Sequence, residues 1–285
     1  MWLIKSIFLA IAIALGHTSM AQSNDSIKPL DSTLNSTWGL LKQDTNATWK
    51  SVKYSVSRPL HWKGSDFKKL GILLGGTASL SLMDEASNSF FTRQHQDVPK
   101  IIRDFGWYFG SPQNYFMANA GLYGFGLLTK NEKIRKTSVL IISSSITSGL
   151  IQSISKTAFG RARPGTGYSP YEFQFLSNEG TFHSFPSGHT ILSVTMAHAI
   201  AKQFTNTWTK VAIYSIGAIP PFSRLTINAH WLTDVALSAA ISVIVVDSID
   251  KFLNNNRVYD TEQDHSKISW SLAFTPNQIG VIGRF

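Results

Sequence analysis

The sequence predicts an all-α protein: a helical bundle followed by a short C-terminal β-hairpin. From Leu70 onward, apolar residues recur at helical spacing in the segments 70–83, 98–109, 115–128, 136–156, 190–204, 208–219 and 232–253. The breaks between them are rich in Gly, Pro and Asn, as in Gly110-Ser111-Pro112, Thr129-Lys130-Asn131, the stretch 160–167 and Pro220-Pro221. Strand-like alternation is confined to 268–274 and 279–285, around Pro276-Asn277, which suggests a terminal hairpin. With 285 residues and 43% apolar side chains, the chain can bury one large core or two modest ones. No internal repeat interrupts the pattern.

The N-terminal region has the form of an export signal. Lys5 lies in a short basic region, residues 6–15 are almost wholly apolar, and Ser19-Met20-Ala21 is a small-x-small cleavage pattern. The expected organisation is a signal peptide at 1–21, a polar, partly disordered leader at 22–69, a helical domain at 70–254, and a polar loop with the hairpin at 255–285. An uncleaved anchor helix is the alternative for the first segment. Either reading places residues from about Gln22 outside the cytoplasm, in the periplasm or envelope of a bacterium. The leader is rich in Ser, Asn, Thr and Asp and is expected to hold at most a short helix near 38–41.

Charge narrows the class of partner. The formal net charge is +9, but the basic residues are scattered rather than gathered in a tract. This argues against nucleic acid and for an anionic substrate or membrane surface. The absence of cysteine excludes disulfides, thiolate metal sites and cysteine catalysis. The longest uncharged run, 137–155, is diluted by serines. If 98–109 is too short to span, the basic run 130–136 falls outside, against the positive-inside tendency. A bundle on the outer side of the inner membrane, soluble or peripheral, is therefore favoured over a spanning one.

Three short clusters carry candidate chemistry. Pro186-Ser187-Gly188-His189 opens an apolar helical pattern, and the first N–H groups of a helix favour an anion of phosphate size. His189 beside such an anion can exchange a proton near neutrality, although an ordinary helix cap with a surface histidine fits the same tetrapeptide. In Lys156-Thr157-Ala158-Phe159-Gly160-Arg161-Ala162-Arg163-Pro164 a helix end delivers cations to one corner, or basic groups merely complement a helix dipole. In the third cluster, Ser223-Arg224 precedes His230 and Asp234, which share a face if helical. A carboxylate there can fix the imidazole tautomer and free the other nitrogen as nucleophile or base, and an incidental pair in a capped helix start is the plain alternative. No metal-ligand spacing stands out, since His183, His189 and His198 lack a matching acidic cluster.

Together the clusters resemble the three-part signature of the type 2 phosphatidic acid phosphatase (PAP2) and vanadium haloperoxidase superfamily. Lys156, Arg163 and Pro164 fit its first part, Pro186 to His189 its second, and Ser223, Arg224, His230 and Asp234 its third. The resemblance covers roughly 70–250 and implies a bundle of that family's type, with a phosphatase domain at 70–254. It implies that His230 attacks phosphorus to give a phosphohistidine, that Asp234 holds its ring, and that His189 protonates the departing oxygen. Lys156, Arg163, Arg224, the Ser187 hydroxyl and the Gly188 N–H would bind the phosphoryl oxygens. It implies no metal and no cofactor. The substrate expected is a phosphate monoester or diphosphate, with a lipid phosphate such as phosphatidate, a polyprenyl diphosphate or lipid A favoured. A soluble periplasmic acid phosphatase, a vanadate-dependent haloperoxidase and a non-catalytic lipid- or phosphate-binding envelope protein are the alternatives. Arg161 is left to meet either a second phosphate or a surface carboxylate, and Trp231 either shapes the pocket or packs in the core.

Overall fold

The computed structural model describes residues 36–259 and the backbone of two strands at 269–275 and 278–284. The expected signal peptide and the first part of the leader lie outside the described residues. The helices are α1 (Thr37–Ser57), α2 (Gly64–Ser81), α3 (Asp84–Arg93), α4 (Lys100–Phe109), α5 (Pro112–Leu128), α6 (Glu132–Phe159), α7 (Gly188–Ala201), α8 (Thr207–Thr226) and α9 (Leu232–Asn255). The strands β1 (Ser269–Thr275) and β2 (Gln278–Arg284) pair antiparallel, with Thr275 opposite Gln278. The all-α class expected from the periodicity is the class observed.

Helices α6, α7 and α9 form the centre. Ile134, Leu140 and Ile141 of α6, Met196 and Ile200 of α7, and Val246, Ile249 and Leu253 of α9 share one buried cluster. Small residues set the spacing around it. A side chain at Gly217 of α8 would come within 2.4 Å of the Ala197 Cβ of α7, and one at Gly106 of α4 within 2.4 Å of the Ser223 Cβ of α8. Helix α6 buries Thr137, Ser138, Ser143, Ser144, Ser145, Thr147 and Ser148, short hydroxyl residues that let neighbouring backbones approach closely. The Asn131 side chain caps α6 by accepting from the Ile134 N–H at 3.0 Å. Its other end stops at Gly160, whose φ is 56°. A Cβ there would lie 1.7 Å from the Gln174 carbonyl oxygen, so only glycine fits.

Three sequence expectations are corrected. The leader reading fails from Thr37 onward, because α1 is a 21-residue helix. Its buried Asp44 accepts from Arg135 Nε at 2.8 Å and Nη2 at 3.0 Å, and from the hydroxyls of Tyr123 at 2.9 Å and Tyr259 at 2.8 Å. Local composition misses this because the anchoring partner is 91 residues away. Next, α8 does not stop at Ile219 but runs through Pro220-Pro221 to Thr226. An interior proline costs about 3 kcal/mol; Pro220, Pro221 and Leu225 are buried against the bundle, so packing rather than local propensity holds this turn of the helix. Last, α3 occupies a stretch where no helix was expected, and its first residue, Asp84, is fully buried.

Helices α6 and α9 are long and apolar enough to cross a membrane, and 56% and 50% of their apolar windows are buried within the bundle. Large apolar side chains remain exposed on several helices, among them Phe67 and Ile72 of α2, Ile154 of α6 and Trp208 of α8.

Candidate active site

The site lies where the C-terminal end of α6, the start of α7 and the α8–α9 junction converge, with α4 alongside. Ser187 precedes α7 in an extended conformation, but its hydroxyl does not cap the helix. That hydroxyl instead accepts from Thr190 Oγ1 at 3.0 Å, and the Ser187 N–H donates to Ser238 Oγ at 2.8 Å. The first-turn N–H groups from Gly188 onward therefore have no side-chain cap. Gly188 packs on Gln152, whose Nε2 would be 2.4 Å from an added Cβ.

His189 follows at the first turn of α7. Its ring lies 5.7 Å from that of Trp107, and the Gly110 backbone is so close that a Cβ there would meet His189 Cδ2 at 2.8 Å. The imidazole hydrogen-bonds the Trp107 backbone, while Nε2 is buried without a partner. Burial, helped by the charges of Arg224 and His230, lowers its pKa from 6.5 to about 4. Trp107 also lies under Arg224, 4.8 Å from the guanidinium carbon. Arg224 donates from Nη2 to Ser223 Oγ at 3.1 Å, and its buried Nε has no partner. Burial and then Arg163 push its pKa down to about 10.

The turn after α6 supplies two further cations. Lys156 Nζ donates to the His183 carbonyl at 2.7 Å, and Arg163 Nη2 donates to the same oxygen at 3.1 Å. Arg163 also donates to the carbonyls of Gly180 at 3.0 Å and Ala229 at 3.0 Å. His183 thus contributes its backbone, while its ring pairs with the Ser177 carbonyl at 2.9 Å. Among the described residues no ion pair joins Lys156, Arg163 or Arg224 to a carboxylate. Three cations thus gather near one another, none of them in a direct ion pair among the described residues.

His230 lies just before α9, and Asp234 is in its first turn. The two therefore come together across the helix start, rather than along one helical face as their spacing suggested. His230 Nδ1 is 3.8 Å from Asp234 Oδ2, an ion-pair separation longer than a hydrogen bond. Arg163 Nη1 is 3.4 Å from His230 Nε2. A guanidinium can only donate, so Nε2 is the bare nitrogen and the ring proton sits on Nδ1, toward Asp234. Burial holds the His230 pKa below its ordinary value, with Arg163 and Lys156 adding to the effect against the pull of Asp234. Asp234 Oδ2 also accepts from Ser184 Oγ at 2.5 Å and the Trp231 N–H at 2.9 Å.

Arg161 meets neither a second phosphate site nor a surface carboxylate. It is 5% exposed and bound to two buried carboxylates, Asp84 and Asp234. Trp231 packs in the core, donating from Nε1 to the Ala162 carbonyl at 2.8 Å. His198 does have an acidic neighbour, Asp247 at 3.1 Å, but at the last turn of α7 rather than the first. Among the described residues no group of three or more His, Asp or Glu side chains is placed to hold a metal ion. Sequence reasoning gave no role to Asp84, Trp107, Gly110 or Ser184. Gly110 stood inside a marked segment break and Ser184 at the head of the Pro-Ser-Gly-His turn, while Asp84 and Trp107 carry no spacing signal.

Cations not paired with a carboxylate, a helix start without a side-chain cap, a buried imidazole beside a carboxylate and a second, half-buried imidazole make this a candidate oxyanion site. Residues 137–256 match the family model described as the PAP2 superfamily. It is 28% identical over 132 residues to a lipid A 1-phosphatase of Porphyromonas gingivalis, covering 45% of this chain and 26% of that protein. It is 29% identical to a lipid A 4'-phosphatase of the same organism, covering 37% of this chain and 46% of the relative. A lipid A 1-phosphatase of Rhizobium johnstonii is 33% identical over 33% of this chain and 38% of its own length. The chain thus spans less than half the length of these curated relatives. Among solved structures, the transmembrane PAP2-type phosphatidylglycerolphosphate phosphatase of Bacillus subtilis aligns with a TM-score of 0.47 at 16% identity, covering 68% of this chain and 96% of that one. Aquifex aeolicus LpxE aligns with a TM-score of 0.43 at 20% identity, covering 57% of this chain and 93% of that one.

Proposed function

We propose that the protein is a membrane-associated lipid phosphate phosphatase working through a phosphohistidine. The observation that carries this reading is the bare Nε2 of His230, facing Arg163, with Lys156 and Arg224 nearby and none of the three cations in a direct ion pair with a carboxylate among the described residues. In the first step His230 Nε2 forms a bond to phosphorus as the ester oxygen departs with a proton from His189. In the second, water donates its oxygen to phosphorus and its proton to His189, the N–P bond breaks, and inorganic phosphate leaves. Lys156, Arg163, Arg224, the Ser187 hydroxyl and the Gly188 N–H hold the three non-bridging oxygens, where charge is best stabilised by fixed donors.

A lipid substrate is supported by the exposed apolar side chains of α2, α6 and α8 and by the names of the curated relatives. The test is trapping of labelled phosphoenzyme with phosphatidate, lipid A, a polyprenyl diphosphate and nitrophenyl phosphate, each followed by turnover. Label is expected in the wild type and absent in His230→Ala, with a lipid turned over fastest. Label retained in His230→Ala would remove the nucleophile assignment, and preference for the nitrophenyl ester would point to a soluble-ester phosphatase.

A further inference from the structure

We propose that Arg161, itself held by Asp84, is the positioning residue that keeps Asp234 ionised and turns one of its oxygens to His230. The inference deepens the phosphatase reading and rests on it for its kinetic arm.

The geometry is that of a buried relay with an arginine at its centre. Arg161 Nη1 donates to Asp234 Oδ1 at 2.6 Å and to Thr233 Oγ1 at 2.7 Å. Nη2 donates to Asp84 Oδ2 at 2.7 Å, and Nε to the Pro170 carbonyl at 2.9 Å. Four of the five guanidinium N–H groups, from all three nitrogens, are thus committed to buried protein acceptors. It is further enclosed by the rings of Trp231 at 5.7 Å and Phe173 at 6.0 Å. Asp84 fixes the other side of the arrangement, because Oδ1 accepts from the Thr233 N–H at 3.0 Å and Oδ2 from the Thr233 hydroxyl at 2.6 Å. It therefore clamps the first turn of α9, the turn that carries Asp234.

The chemistry follows from burial. Asp234 is fully buried, and a carboxylate without a close cation there would take up a proton. His230 also favours the ionised carboxylate, but its Nδ1 is 3.8 Å away and its charge changes during the proposed reaction. Arg161 is the permanent cation. By occupying Oδ1 it leaves Oδ2 to the Trp231 N–H, Ser184 and His230, which holds the imidazole proton on Nδ1 and leaves Nε2 bare. The charged groups around this carboxylate are Arg161 and Asp84, His230, and the more distant Lys156 and Arg163.

The test compares Arg161→Gln, Arg161→Lys and Asp84→Asn with the wild type on nitrophenyl phosphate, with inorganic phosphate as competitive inhibitor. Arg161→Gln should lower kcat by about 10- to 100-fold, the range for residues that orient a reactive group from behind. KM and the phosphate inhibition constant should stay within about threefold, since Arg161 does not face the phosphate. The acid limb of kcat/KM should move up by about 1 pH unit, because an opposite charge has been withdrawn from the His230–Asp234 pair. Arg161→Lys restores the charge and should bring that limb back, without recovering full kcat. Asp84→Asn withdraws a negative charge and should move the limb the other way.

Unchanged kcat in both arginine variants, or a loss confined to KM and the phosphate constant, overturns the proposal. If Arg161→Gln does not fold, Arg161→Lys and Asp84→Asn decide, and a wild-type kcat in the first together with an unmoved acid limb in the second overturns it. A wild type without turnover would instead sink the phosphatase reading. The inference is then decided by the nitrogen NMR signals of His230: an Nδ1–H tautomer in the wild type that persists in Arg161→Lys and is lost in Arg161→Gln supports it, and a tautomer insensitive to Arg161 rejects it.

Discussion

His189 carries the clearest consequence at the scale of a single residue. Its ring is enclosed by Trp107 and Gly110, and the charges of Arg224 and His230 oppose its protonation. These surroundings therefore hold it neutral at pH 7, and in the proposed reaction it would become an acid only once a substrate dianion offset those cations. The same shift acts on stability. Folding lowers the pKa from 6.5 to about 4, so the unfolded chain binds a proton at pH values where the folded one does not. The contribution is complete above pH 6.5 and lost as pH falls toward 4, and His230, shifted in the same direction, adds to it. Thermal unfolding midpoints are expected to fall between pH 7 and 4, and His189→Asn should reduce that fall. An equal fall in the variant would contradict the buried, neutral state of the ring.

Among elements, α1 illustrates how a helix can be anchored by a buried polar cluster as well as by apolar packing. Its buried face offers Leu40 and Ala47, and between them Asp44 joins Arg135, Tyr123 and Tyr259. Asp44→Ala would leave a buried guanidinium and two hydroxyls without their acceptor. Breaking one side of a buried pair costs about 3–5 kcal/mol, and denaturant unfolding is expected to register a loss of that size. A loss below about 1 kcal/mol, the range of exposed pairs, would mean that α1 is only loosely applied to the bundle. The junction of α8 and α9 makes the complementary point. Arg224, His230 and Asp234 were legible as a cluster because they lie within one short stretch, yet their spacing suggested a helical face that does not form. His230 precedes the helix, so its approach to Asp234 is made by the turn.

For the molecule as a whole, the question is what covers the exposed apolar side chains. Phe67 and Ile72 of α2, Ile154 of α6 and Trp208 of α8 are each more than half exposed, and α6 and α9 have the length and composition to enter a bilayer. The protein is expected to sediment with phospholipid vesicles and to need detergent to remain dispersed. A monodisperse protein in detergent-free buffer would overturn membrane association and weaken the preference for a lipid substrate. By itself the sequence determined the helical class, the cations Lys156, Arg163 and Arg224, the helix start at Ser187-Gly188, and the two histidines with Asp234. These are read from residue type and short spacing, which covalent geometry preserves. Tertiary structure alone decided that α1 belongs to the bundle, that Trp107 and Gly110 enclose His189, and that Arg161 serves Asp234 rather than a phosphate. Those contacts join residues 91, 77 and 73 positions apart for Arg135 with Asp44, Arg161 with Asp84 and Arg161 with Asp234. Nothing local to either partner encodes them, because a buried charge is matched by whichever opposite charge the packing brings to it.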